Sequence, residues 1–403
     1  MNSNKKIWLI LIAALGNMIA PFSIDTYLPS FPAIESYYDV SREIMTTTMG
    51  AYLAAFAITT LVWGPLADRF GRKAIAITSL IGFALVSAGC ALSPSFDYFM
   101  TFRILQGVFA GGVIIAGRAM IRDAFPPKEA QKAMALIMMV FAIAPAIAPI
   151  IGGFLQHHYD WESIFWFLTA YGIITFLLIL LFLKETQAAE HVQSIAPKKL
   201  ISSYVHSLKH PVFIRVVLAQ SFVFGGFFVY VVGSASLIFD HLHLGAEDFW
   251  IQFVPMVGGM MLGSFFSHRV SNHKTPIEMA NIAFAIGGIA VVTNLILELF
   301  TEPQVMTVIP QLSLYAFGLS FALPVLSILA LDCLPEKRGM AASLQSLMQM
   351  GMMALVSILV VPLVHASLLE MAISMASLWF LGWLLWLNVH RRLPRQAEQI
   401  HEF

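Results

Sequence analysis

The sequence predicts an all-α membrane protein with twelve transmembrane helices in two six-helix halves, and three observations carry that expectation. Hydrophobic residues make up 59% of the 403 residues and charged residues 11%, against roughly one quarter charged in soluble domains. Apolar stretches long enough for helices of about 20 residues recur twelve times between Pro, Gly and charged punctuation. With both termini on one side, all 23 Lys and Arg fall on that side except Arg42 and Arg103, the asymmetry that marks an inner membrane face. An odd number of spans would scatter the charges over both faces. Twelve spans use about 240 residues, which leaves short loops and no large extramembrane domain.

Taken in order, the first half has spans at about 7–30, 43–63, 74–92, 98–120, 132–155 and 163–183. The second half has them at about 211–239, 248–268, 276–299, 306–331, 340–364 and 367–389. The expected parts are therefore 1–183, a cytoplasmic linker at 184–210, and 211–403. In the linker Leu200, Ile201, Tyr204, Val205 and Leu208 recur at helical spacing beside Lys198, Lys199 and Lys209, the pattern of an amphipathic helix on the inner membrane surface. Lys5 and Lys6 precede the first apolar run as in a signal peptide, but no convincing small-residue cleavage site follows, so the run is expected to stay as the first span. Asp123-Ala-Phe-Pro126-Pro-Lys128 after the fourth span is matched by Asp332-Cys-Leu-Pro335-Glu-Lys337 after the tenth. Matching positions in two halves point to parallel repeats, with substrate held between them near the midplane.

Composition also excludes. The formal net charge is zero, and no basic stretch interleaved with aromatics suggests a nucleic-acid partner. No G-x-x-x-x-G-K-[ST], H-E-x-x-H or G-x-S-x-G occurs, so neither a phosphate loop nor these hydrolytic centres are available. The pairs His157/His158 and His241/His243 are read as solvated residues of short outer loops rather than a metal site, because a closed zinc site needs four ligands. Cys90 and Cys333 fall near opposite membrane faces, beyond the reach of a disulfide.

Two charges stand inside apolar runs. Asp25 lies in the first span, within Asn17 to Pro32, and Arg103 in the fourth. A membrane carboxylate costs several kcal/mol unless it faces a partner or a water-filled cavity. Asp25 is thus a functional centre, or else it caps a turn at the outer boundary before Pro29. Arg103 is followed along one helical stripe by Gly107, Ala110, Gly111 and Ile114, small residues that permit close helix approach. It needs a counter-charge or polar cavity, or else it snorkels to the outer headgroups. Both charges fall in the outer half of the bundle. Burial favours the neutral form of a carboxylate and a nearby guanidinium the charged form, so their separation would load a proton and their approach would release it.

Other motifs surround them. Gly64-Pro-Leu-Ala-Asp68-Arg69-Phe-Gly71-Arg72-Lys73 reads as a loop joining spans two and three, with glycines for a tight reversal. Its degenerate copy, Gly263-Ser-Phe-Phe-Ser-His268-Arg269, follows span eight. Span five contains Pro145, Pro149, Gly152 and Gly153, where proline kinks a helix and glycine admits another closely. Asn17, Met18 and Pro21 lie within about two turns of Asp25, and with Met49, Tyr52 and Phe141 they are candidates for the substrate cavity. The chain's 21 Met and 32 Phe suit adaptable binding of varied ligands.

The Gly64–Lys73 pattern resembles the major facilitator superfamily signature between spans two and three. Arg103-Ile-Leu-Gln106-Gly107 resembles that superfamily's span-four motif, and Ala144-Pro145 to Gly153 its antiporter signature, with Ala144 and Ala148 in place of two glycines. With Asp25-Thr-Tyr-Leu-Pro29-Ser-Phe-Pro32, the chain resembles drug/proton antiporters of the bicyclomycin-resistance (Bcr/CflA) type. The likeness spans the whole chain in architecture, with its specific motifs concentrated in the first half.

The resemblance implies the major facilitator fold, a bacterial inner-membrane location with cytoplasmic termini, and proton-driven export of lipophilic or amphiphilic drugs by alternating access. It implies proton coupling through Asp25 and Arg103, and an inner-gate latch at Gly64, Asp68, Arg69, Gly71, Arg72 and Lys73. Some related exporters carry a second acid two turns before Asp25, where this chain has Asn17, so the number of protons per cycle stays open. The expected partners are lipophilic small molecules, protons and membrane lipid, the chain acting as a monomer with no cofactor beyond the proton gradient. Transport of one defined small metabolite by the same fold is the alternative, since fold does not fix substrate.

Overall fold

A computed structural model of the chain describes residues 3–186, 204, 207–271, 273–334 and 338–390. Among the described residues twelve helical segments are long and apolar enough to cross a membrane, from Lys6–Tyr38 to Leu368–Val389. By spatial proximity the chain divides into two units, Met1–Ile195 with Leu244–Phe253, and Ala196–His243 with Val254–Phe403. The residues Leu200, Ile201 and Val205 of the expected surface helix, and Pro335 to Lys337 of the second repeat copy, lie outside the described residues.

The first unit contains α1 (Ser3–Asp25), α2 (Phe31–Tyr38), α3 (Arg42–Phe70), α4 (Arg72–Ala91), α5 (Phe96–Ala124), α6 (Pro127–His158) and α7 (Glu162–Phe182). The first span is not one continuous helix. It breaks after Asp25, passes through a 3-10 turn at Leu28–Ser30 and resumes as α2. Pro29 and Pro32 lack the N–H that an unbroken helix would need, and each sits at the start of the turn or helix that follows, where that donor has no intrahelical partner anyway.

One further expectation changes. The stretch from Gly64 to Phe70 is helix, not loop: α3 runs through it, and Gly71 alone, at φ 98°, separates α3 from α4. Backbone in hydrocarbon must satisfy its own hydrogen bonds, which favours continuing a helix through residues that would punctuate a soluble chain. For the same reason α6 runs unbroken through Pro145 and Pro149.

Packing within the unit depends on glycine at close crossings. A Cβ on Gly107 of α5 would overlap the Tyr52 carbonyl of α3, and one on Gly152 of α6 would overlap the Thr26 carbonyl just beyond α1. Gly153 likewise meets the Ala246 carbonyl, in the segment grouped with this unit. An aromatic cluster holds the opposite end from Lys6: Phe99 and Phe165 meet edge to face at 5.4 Å, and Tyr38 packs on Trp161 at 5.7 Å.

The second unit contains α8 (Pro211–Val232), α9 (Trp250–Val270, whose first turn is grouped with the first unit), α10 (Pro276–Phe300), α11 (Val305–Asp332), α12 (Arg338–Leu355), α13 (Val361–Val364) and α14 (Leu368–His390). Gly259 and Gly263 of α9 press against the Ser313 and Phe317 carbonyls of α11. This repeats the crossing of spans two and four in spans eight and ten, with the glycines moved to the other partner. Buried polar groups pair across helices here: Asn294 Nδ2 donates to the Tyr230 hydroxyl at 3.0 Å, Tyr315 to the Val223 carbonyl at 2.7 Å, and Gln345 Nε2 to Gln220 Oε1 at 2.6 Å.

Candidate functional site

The break after α1 makes Asp25 the last residue of that helix. Its side chain belongs to a residue only 4% exposed, and its carboxylate makes no hydrogen bond or ion pair with any described residue. An unpartnered carboxylate in a water-poor bundle either carries its charge at a cost of several kcal/mol or takes up a proton.

Arg103 of α5 is fully buried. The snorkelling alternative is thereby excluded; separately, Arg103 makes no ion pair with Asp25 in this structure. One terminal nitrogen, Nη1, donates to the Ser23 carbonyl at 3.0 Å and to Gln106 Oε1. Gln106 Nε2 is in turn held by Ser87 Oγ at 2.8 Å. The guanidinium carbon lies 4.2 Å from the centre of the Tyr27 ring and 5.0 Å from that of Tyr52, both distances at which a cation is attracted by an aromatic face. Nε and Nη2 remain buried without an acceptor. Arg103 is therefore stabilised by ring faces, one carbonyl and one amide in place of a carboxylate. Tyr27, itself fixed by Thr48 at 2.9 Å, was not among the sequence candidates although it stands two residues from Asp25.

The cavity candidates separate on inspection. Met49 and Tyr52 are fully buried within the first unit, and Pro21 is buried within α1. Phe141 of α6 is half-buried. Asn17 is fully buried with its amide engaged on both sides: Nδ2 donates to the Ala13 carbonyl at 2.8 Å, and Oδ1 accepts from Arg118 Nε at 3.4 Å. Arg118 corrects the charge count, which assigned it to the inner face. Its position near the C-terminal end of α5 suggested a surface charge, but the guanidinium turns to α1 instead.

The signature around Asp68 forms a charged network at the end of the unit that carries Lys6 and Lys73. Arg72 pairs with Asp68 one turn before it and, through Nε, with Asp123 at 3.0 Å. The start of α4 is held by Glu185, whose two oxygens accept from the backbone of Arg72 and Lys73 at 3.0 Å each. It is thus Glu185, unremarked in the sequence, that meets the positive end of a helix, while Asp68 meets a cation. A Cβ on Gly71 would lie 2.6 Å from Glu185 Oε2. Lys73 Nζ donates to the Leu183 carbonyl at 2.7 Å, and Arg69 lies over the exposed ring of Phe70. Gly64 sits in mid-helix with open space around it.

Histidine placement also differs from expectation. His157 and His158 close α6 rather than lying in a loop, and with Glu247 they form an exposed trio whose ligand atoms lie within 4.8 Å of one another. His241 ends a π turn, and its Nε2 lies 3.0 Å from the His365 carbonyl. Both cysteines are free, and burial pushes the Cys333 thiol up to about 11.

Comparison with known proteins follows the same lines. The model of the Major Facilitator Superfamily matches residues 13–357. The chain is 29% identical over 355 residues to the bicyclomycin resistance protein homolog of Haemophilus influenzae, covering 85% of this chain and 86% of that relative. It is 29% identical over 398 residues to multidrug resistance protein MdtL of Shewanella oneidensis, covering 97% of each. Among solved structures, a bacterial homologue of the human lysosomal transporter Spinster matches with a TM-score of 0.74 at 16% identity over 98% of both chains. A D-xylose-proton symporter matches with a TM-score of 0.73 at 15% identity over 95% of this chain and 97% of that one. At these identities the structural likeness concerns the fold.

Proposed function

This chain belongs to the Major Facilitator Superfamily, and on that premise we propose that it exports lipophilic or amphiphilic drugs across the bacterial inner membrane in exchange for protons, by alternating access. It is a multi-pass transport protein rather than an enzyme. Relatives named for bicyclomycin and multidrug resistance support drugs as the cargo. The observation that carries proton coupling is Asp25, a buried carboxylate at a helix break that has neither a hydrogen-bond partner nor a cation among the described residues.

In this reading Asp25 binds the driving proton. Arg103, held by Tyr27, Tyr52, Ser23 and Gln106, supplies a fixed positive charge whose distance from Asp25 changes through the cycle. The network at Asp68 and Arg72 serves the switching of conformations, and the protein acts as a monomer with the proton gradient as its energy source and no bound cofactor.

The test is transport by purified protein in sealed vesicles, with a panel of unrelated drugs and a pH gradient that is imposed and then collapsed. Several drugs should be moved, each only while the gradient stands. Movement of a single compound and indifference to the rest would replace drug export by transport of one metabolite. No movement under any gradient would end the reading.

A further inference from the structure

Arg118 is a second arginine inside the first unit, and nothing in the proton-coupling scheme uses it. Its depth follows from α1: Lys6 Nζ meets Glu129 at 2.6 Å, near the start of α6, and Asn17 stands eleven residues further along α1, ~16 Å at 1.5 Å per residue. Asn17 therefore lies well inside a hydrocarbon layer about 30 Å thick, and the guanidinium reaches it from α5, where Arg118 stands five residues, ~8 Å, before Asp123 of the charged network. Arginine keeps its charge in proteins, and a charge at that depth ordinarily pairs with an acid or lines a path for substrate or ions.

No acid fills that role. Among the described residues Arg118 makes no ion pair, and its hydrogen-bond partner is the neutral amide of Asn17. The other half of that amide is committed to Ala13, so Asn17 offers one acceptor oxygen and no charge. The contrast with Arg103 is direct: Arg103 is fully buried against two aromatic rings, whereas Arg118 is half-buried with Nη1 and Nη2 free of partners among the described residues. With Nε tied to α1, the Nη1–Nη2 edge is left as a planar two-donor fork, the geometry that takes a carboxylate through two parallel hydrogen bonds.

We infer that Arg118, oriented by Asn17, receives the anionic head of the transported compound, so that the substrates are acidic amphiphiles carrying a carboxylate. This inference rests on the export reading above and names the substrate class that reading leaves open. An acid at position 17 would occupy the fork from within. Asparagine orients the guanidinium and leaves its charge for the ligand.

The experiment is equilibrium binding to the purified full chain of three matched probes: pyrenebutyrate, its neutral amide, and the corresponding pyrenebutyl trimethylammonium, read by energy transfer from tryptophan to pyrene. The carboxylate should bind about tenfold tighter than the amide, a difference set by one charge-assisted contact, and the ammonium more weakly than both. Arg118→Gln should abolish the preference for the carboxylate while keeping the affinity for the amide, and Arg118→Lys should retain part of it. Asn17→Asp should abolish it with Arg118 intact, and this variant carries the test if Arg118→Gln fails to fold. Equal binding of acid and amide by the unaltered protein, or an unchanged preference in Arg118→Gln or Asn17→Asp, overturns the inference. If all three probes bind and are exported without regard to charge, the export reading stands and this inference alone falls. If none binds or moves, both fall.

Discussion

Asp25 and Arg103 belong to one unit and do not touch, and that separation determines what each substitution should do. Asp25 contributes no hydrogen bond to the fold among the described residues, so Asp25→Asn should leave the protein folded in the membrane while abolishing the proton-driven part of transport. Uptake into vesicles with and without a pH gradient checks this; gradient-dependent transport surviving in the variant would move the proton site elsewhere. Arg103 is the opposite case. Its Nη1 holds the Ser23 carbonyl and Gln106, and its charge lies between two tyrosine faces. Arg103→Ala should therefore destabilise the first unit by about 2 kcal/mol or more, seen as a lower unfolding temperature in detergent, with Arg103→Lys falling between. An unaltered melting temperature in Arg103→Ala would show that the enclosure contributes nothing. The two charges were legible in the sequence because a charge in an apolar run is conspicuous. Tyr27, Ser23 and Gln106 were not, because an aromatic ring, a backbone carbonyl and an amide acquire their roles only from what folding brings beside them.

At the scale of the element, one motif holds two glycines with opposite expected responses. Gly71 takes φ 98°, and its added Cβ would lie 2.6 Å from Glu185 Oε2. Gly71→Ala should thus cost about 1–2 kcal/mol in backbone strain alone and loosen the hold of Glu185 on α4. Gly64 is helical with nothing within 4 Å of an added Cβ, so Gly64→Ala should be neutral or stabilising by up to about 1 kcal/mol. Paired thermal unfolding in the same detergent checks the difference, and equal effects would contradict the helical assignment of Gly64. The sequence identified this stretch as a motif but read it as a loop, since Gly64 and Pro65 are punctuation by local rules. Continuity of hydrogen bonding in lipid overrode them. The reverse happened in the first span, placed at about 7–30 with a turn before Pro29 as one alternative, and in fact broken after Asp25. Span five was read more fully: its glycines were expected to admit a close neighbour, and the Thr26 and Ala246 carbonyls are those neighbours. Gly152→Val should accordingly lower stability by about 1–3 kcal/mol through overpacking.

For the whole molecule, the twelve spans followed from composition and charge asymmetry because a bilayer imposes both on any chain that crosses it repeatedly. The division of labour along a span is less visible, and α3 shows it. Tyr52 on this helix faces Arg103, while Asp68 on the same helix pairs with Arg72, which also binds Asp123. The two positions are sixteen residues apart, ~24 Å along the axis, too far for a ligand held near Tyr52 to touch Asp68 as well. Asp68→Asn keeps the size of the side chain and weakens one arm of the network, leaving Arg72 to Asp123. The expected result is a lower maximal transport rate, by about tenfold if one charge-assisted contact of about 1.4 kcal/mol is lost from one of two alternating states, with equilibrium binding of the drug unchanged. Parallel measurements of binding in detergent and turnover in vesicles separate the two quantities. Weakened binding with normal turnover would place Asp68 in substrate recognition and remove the network from the switching step.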